Sequence, residues 1–336
     1  MTKRPAARQK QEDLAESVTA GDRRALARAI TLIESTRADH RAAAAALLDK
    51  LLPAAGRSIR LGISGAPGVG KSSFIEAFGL HVIGQGHRVA VLAVDPSSKI
   101  GGGSILGDKT RMAELATEER AFIRPSPASG TLGGVARRTR ESITAVEAAG
   151  FDVVVAETVG VGQSETAVAD MVDMFVLMLQ PAGGDDLQGM KRGIVELADL
   201  ILVNKSDGEL AAAAGRTAAD YRHALHLLRA PTPGWTPEVR QCSALSGAGI
   251  AEVWQTVERF RQALDADGQL QRRRSEQAKA ALHQELSESL LAALRSDPDV
   301  ARRLADLEKR VADGRLSPAA AADAVTAAFL DRADDR

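Results

Sequence analysis

Between about residues 58 and 265, short apolar runs alternate with stretches whose apolar residues recur at helical spacing. Residues 60–64, 88–94, 151–156, 200–203 and 238–242 read as strands. The unbroken apolarity of 200–203 suits a parallel strand covered on both faces. Residues 71–83 instead place Phe74, Ile75, Phe78 and Val82 along one side of a helix. Strands alternating with helices predict parallel βαβ units, hence an α/β fold with a mostly parallel sheet flanked by helices.

The pattern changes on either side. Residues 9–52 are rich in Ala, Arg and Leu and read as two or three helices joined near Gly21-Asp22 and Arg37-Ala38-Asp39. Past residue 267 only helical periodicity remains. Leu282, Leu286, Leu290 and Leu294 recur every fourth residue with Leu291 beside them. Asp297-Pro298 interrupts, and Val300, Leu304, Leu307 and Val311 begin a second stripe. A helical hairpin buries such stripes poorly by itself, so they predict a dimerisation arm and a homodimer. Packing on the chain's own α/β part is the alternative. The spacing is too short and irregular for a sustained coiled coil. These shifts divide the chain into a helical extension (1–56), an α/β domain (57–266) and a helical arm (267–336), with 231–237 as a surface loop.

A chain of 336 residues with 45% hydrophobic content can bury one large core plus helical additions. A formal charge of −1, with only local basic clusters such as Arg272-Arg273-Arg274, speaks against nucleic-acid binding. No apolar run reaches membrane-spanning length, and the basic N-terminus has no apolar signal segment before Glu12 and Asp13. The expectation is a cytoplasmic protein with no membrane partner; a mitochondrial presequence is the lesser alternative. Cys242, the single cysteine, falls inside a strand and reads as a small core residue.

Chemistry enters at residues 65–72. Gly65, Ala66, Pro67, Gly68, Val69, Gly70, Lys71 and Ser72 form a complete G-x-x-x-x-G-K-[ST] phosphate loop, continued by Ser73, between a strand and a helix start. The glycines let backbone N–H groups turn toward phosphate oxygens, and the helix N-terminus adds partial positive charge. Lys71 reaches the β- and γ-phosphates in this motif, and Ser72 ligates Mg²⁺. The alternative, a glycine-rich strand-to-helix turn without nucleotide, is weak once both neighbours are counted.

Asn204-Lys205-Ser206-Asp207 follows the strand at 200–203, at the end where open α/β sheets bind ligands. Asp207 can accept from guanine N1–H and the exocyclic amine, an edge that adenine lacks. A buried acceptor left unpaired by the wrong base discriminates strongly. Ser243-Ala244-Leu245 follows another strand and resembles the backbone guanine-contacting loop of GTPases. Alone the tetrapeptide reads as a polar turn; after a phosphate loop and ahead of Ser243 it predicts GTP and GDP as ligands.

Metal and hydrolysis residues are less ordinary. Asp95 opens Asp95-Pro96 after one strand, Asp108 follows the glycines at 101–103, and Glu157 ends another strand. With Ser72 these are candidate direct or water-mediated Mg²⁺ contacts, since Mg²⁺ takes few carboxylates and keeps waters. A turn at Asp95 and a surface loop acid at Asp108 are the alternatives. Glu157 occupies the place of Asp in D-x-x-G, and Gly160 would donate its N–H to the γ-phosphate. Lys71, Glu157 and Gly160 are the candidate catalytic set. Gln163 lies six positions past Glu157, not the four of a Ras-type water-positioning glutamine, which leaves the water-activating group unassigned and predicts slow intrinsic turnover.

Taken together, Gly65–Ser72, Val94-Asp95-Pro96-Ser97-Ser98, the Gly-Gly-Ser-Ile-Leu-Gly-Asp108-Lys-Thr-Arg-Met run, Glu157-Thr-Val-Gly160-Val-Gly-Gln163-Ser and Asn204–Asp207 resemble the MeaB/ArgK family over roughly residues 10–330. That resemblance implies a SIMIBI-class P-loop NTPase fold. It implies a chaperone gating adenosylcobalamin loading onto an acyl-CoA mutase, above all methylmalonyl-CoA mutase; whether an adenosyltransferase is a second partner stays open. It also implies that 180–191 is a switch in which Asp185, Gln188 and Lys191 couple nucleotide state to partner. A capped helix start with a solvated lysine explains those residues equally well. Arg137, Arg138 and Arg140 stay open between a switch and a solvated helix face. Two other functions compete. A nickel-delivery GTPase predicts a Cys/His cluster that one cysteine and six scattered histidines do not form. A transport-associated kinase needs an acceptor pocket and no guanine selectivity.

Overall fold

The computed structural model describes residues 4–94, 112–125, 132–158, 164–181 and 192–333. Seven strands form one sheet: β1 (Ile59–Gly65), β2 (Val89–Val94), β3 (Ala121–Arg124), β4 (Val153–Thr158), β5 (Met174–Leu179), β6 (Leu200–Val203) and β7 (Glu238–Gln241). They lie in the order β3-β2-β4-β1-β5-β6-β7, and every neighbouring pair is parallel. The parallel sheet expected from the alternating pattern is borne out. Sequence patterning had not picked out β3, a four-residue edge strand, nor had it delimited β5.

Both faces of the sheet are buried, and strand periodicity divides the side chains between them. Along β4, Val154 and Ala156 enter one core while Val153 and Val155 enter the other; along β5, Phe175 and Leu177 oppose Met174 and Val176. One face is covered by α1 (Arg4–Thr19), α2 (Arg23–Glu34), α3 (Ala38–Leu51), α6 (Leu132–Ala148), α7 (Ser164–Ala169) and α9 (Ala211–His226). The other carries α4 (Lys71–Gly84), α5 (Ala113–Thr117) and α10 (Ile250–Ala266), with Phe74, Phe78, Trp254 and Phe260 in its interior. The short helix α8 (Arg192–Val195) precedes β6. The three N-terminal helices therefore contribute Val18, Leu26, Ile30, Leu47 and Leu51 to the same core as β2 and β4. Asp22 caps α2, accepting from the N–H groups of Arg24 and Ala25.

The chain forms two compact units, Met1–Gln277 and Ala278–Arg336. In the first, α11 (Gln269–Ser296) begins on a buried ion pair. Asp173, fully buried before β5, accepts from Arg274 Nε at 2.8 Å and Nη2 at 2.5 Å, and from the Arg60 N–H at 2.8 Å. Arg274 also donates to the carbonyls of Gly56 and Ser58. Asp173→Ala leaves that guanidinium buried without its carboxylate, and urea denaturation should show a loss of about 3–5 kcal/mol. A loss below about 1 kcal/mol would mean that water replaces the pair. Glu147 is held in a similar way. Burial pushes its carboxyl up, but the Arg60 guanidinium, the Ser58 hydroxyl and the Gly56 amide outweigh burial and keep it below its ordinary range.

In the second unit, α11 ends at Ser296, and Asp297 caps α12 (Pro298–Ala312) with Pro298 in its first turn. A third helix, α13 (Pro318–Ala333), follows. Val300, Ala321 and Val325 are buried, whereas Leu282, Leu286, Leu290 and Leu291 of α11 are all more than half exposed.

Candidate functional site

Because all strands run the same way, their carboxyl ends meet along one edge, and the chain passes from β4 on one side of β1 to β5 on its other side, so the strand order changes direction at β1. That is where open α/β sheets place ligands. Residues 65–72 start on the last residue of β1 here, Glu157 and Thr158 end β4, 204–207 follow β6 and 243–245 follow β7.

The phosphate loop is tightly fitted to its surroundings. A side chain on Gly65 would stand 2.5 Å from the Met178 carbonyl of β5. Gly70 has φ 92°, and a Cβ there would meet Asn204 Nδ2 at 2.6 Å. Lys71, 9% exposed at the start of α4, donates from Nζ to the Gly65 carbonyl at 2.7 Å and the Ala66 carbonyl at 3.3 Å. Its ammonium thus lies over the loop that the motif assigns to phosphates. Beside it, Ser72 Oγ donates to Glu157 Oε1 at 3.3 Å. Glu157 is 5% exposed, in register between Ile63 of β1 and Ala93 of β2. Its neighbour Thr158 donates to Ser64 Oγ at 2.9 Å, which ties the ends of β4 and β1 together.

The 204–207 segment reaches this loop directly. Asn204 is 1% exposed; its Nδ2 donates to the Val69 carbonyl at 2.9 Å, while its Oδ1 accepts from the Ala244 N–H at 3.1 Å and from Cys242 Sγ at 3.5 Å. Burial pushes the Cys242 thiol up to about 12, so it stays protonated and able to donate. Lys205 Nζ donates to the Gly68 carbonyl at 2.7 Å, from a backbone at φ 58° that side chains rarely adopt. Asn204 and Lys205 therefore clasp the phosphate loop and the 243–245 loop. Sequence reading assigned them to the nucleotide and missed this bracing; contacts across 135 and 137 positions leave no trace in local spacing. Asp207 is half-buried at the start of a 3₁₀ turn and makes no capping bond. Ser243 is buried and accepts from the Ser246 N–H, Ala244 is half-buried, and Leu245 is 91% exposed.

Residues 65–73, Glu157, Asn204, Lys205, Asp207 and 243–245 thus share one edge of the sheet. Asp95, Asp108, Gly160, Gln163, Asp185, Gln188 and Lys191 lie outside the described residues. Arg137, Arg138 and Arg140 lie on α6. Among the described residues, no three His, Cys, Asp or Glu gather where one metal ion could be held.

A parallel sheet with a glycine phosphate loop after its first strand, braced to an N-K-x-D segment after its sixth, defines a P-loop GTPase. A family model described as Methylmalonyl Co-A mutase-associated GTPase MeaB matches residues 26–299. A relative from Caulobacter vibrioides is 54% identical over 318 residues, covering 95% of this chain and 97% of that one. GTPase ArgK of Escherichia coli is 49% identical, covering 91% of this chain and 93% of its own, and the mouse protein named methylmalonic aciduria type A homolog, mitochondrial, is 49% identical, covering 93% and 78%. A solved structure described as LAO/AO transport system kinase superposes with a TM-score of 0.75 at 38% identity, covering 96% and 98%. The chain belongs to the MeaB family of GTPases. It binds GTP and GDP and hydrolyses GTP.

Proposed function

We propose that this GTPase is a switch serving a cobalamin-dependent acyl-CoA mutase, methylmalonyl-CoA mutase in the first instance, gating adenosylcobalamin loading and protecting the enzyme. The observation that supports a switch is Asn204, whose one side chain holds both the phosphate loop and the 243–245 loop. A change at the phosphates is then felt at the base, and the reverse. The family description and the mouse relative's name support the choice of mutase.

In this reading the nine residues 65–73 bind the phosphates, with Lys71 on the β/γ-oxygens; Asp207 reads guanine, and 243–245 line the base. Asn204 and Lys205 act by holding that pocket in shape. Ser72 and Glu157 present two hard oxygens at one point, a donor set that fits Mg²⁺. Mg²⁺ neutralises charge on the β- and γ-phosphates when bound. Asp95 and Asp108 complete the metal set, and Gly160 contacts the γ-phosphate. Asp185, Gln188 and Lys191 carry the nucleotide state to the partner, and intrinsic turnover is slow. The exposed leucines of α11 make the homodimer contact. An adenosyltransferase is a second partner. No helix among the described residues is long and apolar enough to cross a membrane, and the cytoplasm is the compartment assigned.

A switch must bind its client unequally in its two states. Methylmalonyl-CoA mutase should therefore bind the chain at least about tenfold more tightly in one nucleotide state, non-hydrolysable GTP analogue or GDP, than in the other. Equal affinity in both states, measured by calorimetry, would remove the switch.

A further inference from the structure

At the open edge of the sheet β7 has only β6 as a strand neighbour. A cleft of about 350 Å³ lies between its first residues and the last turns of α9, within the range that small organic ligands fill. Arg222, Leu225 and His226 line it from α9, spaced i, i+3 and i+4 and so on one helix face. Glu238, Val239 and Arg240 line it from β7. Leu225 and the buried Val239 supply apolar surface. The cleft opens at the beginning of β7, whereas the guanine-type loop follows that strand's end.

Its charge is unbalanced. Glu238 is the one carboxylate in the lining, and it is already shared: Oε2 accepts from Arg240 Nη2 at 2.5 Å, and its two oxygens accept from Arg259 at 2.9 and 3.1 Å. Arg222 adds a further cation, exposed, with which no carboxylate pairs among the described residues. A basic side chain in a last helical turn complements the helix dipole, which is reason enough for His226 taken alone; Arg222 lies just before that turn. Arg240 comes from a strand, and its pairing with Glu238 engages Nη2. Its Nε is buried and has no acceptor among the described residues, although buried donors are normally satisfied. An unsatisfied guanidinium donor beside a second guanidinium and apolar surface is the complement of an oxyanion on a small apolar body.

The geometry points to a second ligand site on this chain: the cleft between α9 and β7 takes a small organic oxyanion, a phosphate ester or a carboxylate, on Arg222, Arg240 and His226. The site is separate from the nucleotide and does not depend on which partner the GTPase serves.

Calorimetric titration of the full chain, saturated with GDP so that the nucleotide pocket is filled, tests this with phenyl phosphate and benzoate as probes and phenol as the uncharged control. At least one anion binds saturably and phenol does not. Tighter binding of phenyl phosphate assigns the site to phosphate esters, and tighter binding of benzoate to carboxylates. Arg240→Gln and Arg222→Gln each weaken that binding by about tenfold or more. Arg222 is exposed, so its replacement keeps the proposal testable should Arg240→Gln disturb the Glu238 cluster; GTP turnover in Arg222→Gln stays at the wild-type rate. No saturable binding of either anion up to about 10 mM, or binding that survives both substitutions, overturns the site.

Discussion

Lys71→Ala lowers the affinity for GTP by about a hundredfold or more, because one charge-assisted hydrogen bond to phosphate is worth about 1.5–3 kcal/mol and this ammonium is placed to serve two phosphates. Its Nζ lies within 2.7 Å of the Gly65 carbonyl and 3.3 Å of Ala66, over the loop, at 9% exposure. Low exposure magnifies the effect, since little water stands by to screen or replace the charge. The fold tolerates the change, because Gly65 is the last residue of β1 and Ala66 lies beyond it, so neither carbonyl belongs to the middle of the strand ladder. Equilibrium titration with a fluorescent GTP analogue reads the loss. Affinity within about threefold of wild type would remove residues 65–73 from the phosphates.

Asp207→Asn moves the preference from guanine to xanthine nucleotides. Within 204–207 the Asn204 and Lys205 side chains are engaged elsewhere: Asn204 by Val69, Cys242 and Ala244, and Lys205 by Gly68. The Asp207 carboxylate is the charged acceptor that the segment keeps for a base edge. An amide at that position offers a donor, which suits the C2 oxygen of xanthine and opposes the guanine amine, while the bracing by Asn204 is untouched. Leaving buried polar groups mismatched costs about 1–3 kcal/mol each, so GTP affinity falls by about tenfold to a hundredfold while XTP affinity rises. Competition of GTP and XTP for the same chain measures the ratio; an unchanged ratio would show that the base is read elsewhere.

Much of this site was legible in the sequence because its parts are local. The eight residues of the phosphate loop carry their own strand and helix start, and 204–207 directly follow β6. The strands that could be read, β1, β2, β4, β6 and β7, are bounded by loops with plain polar or glycine signals. The Ala121–Arg124 strand could not: four residues, half of them only partly buried, show neither alternation nor a long apolar run. The bracing of the two loops by Asn204 and Lys205 could not either, since it depends on tertiary placement that patterning does not encode. Nor could the Asp173–Arg274 pair, which joins residues 101 positions apart. Local chemistry is written in motifs, whereas what holds the motifs against one another emerges only when the sheet is assembled.

The most direct test of the switch is the rate of GTP hydrolysis by the purified chain, alone and with methylmalonyl-CoA mutase. A slow basal rate that the mutase raises severalfold is the predicted result, and it would turn attention to residues 180–191. A rate that the mutase leaves unchanged would contradict the proposed client.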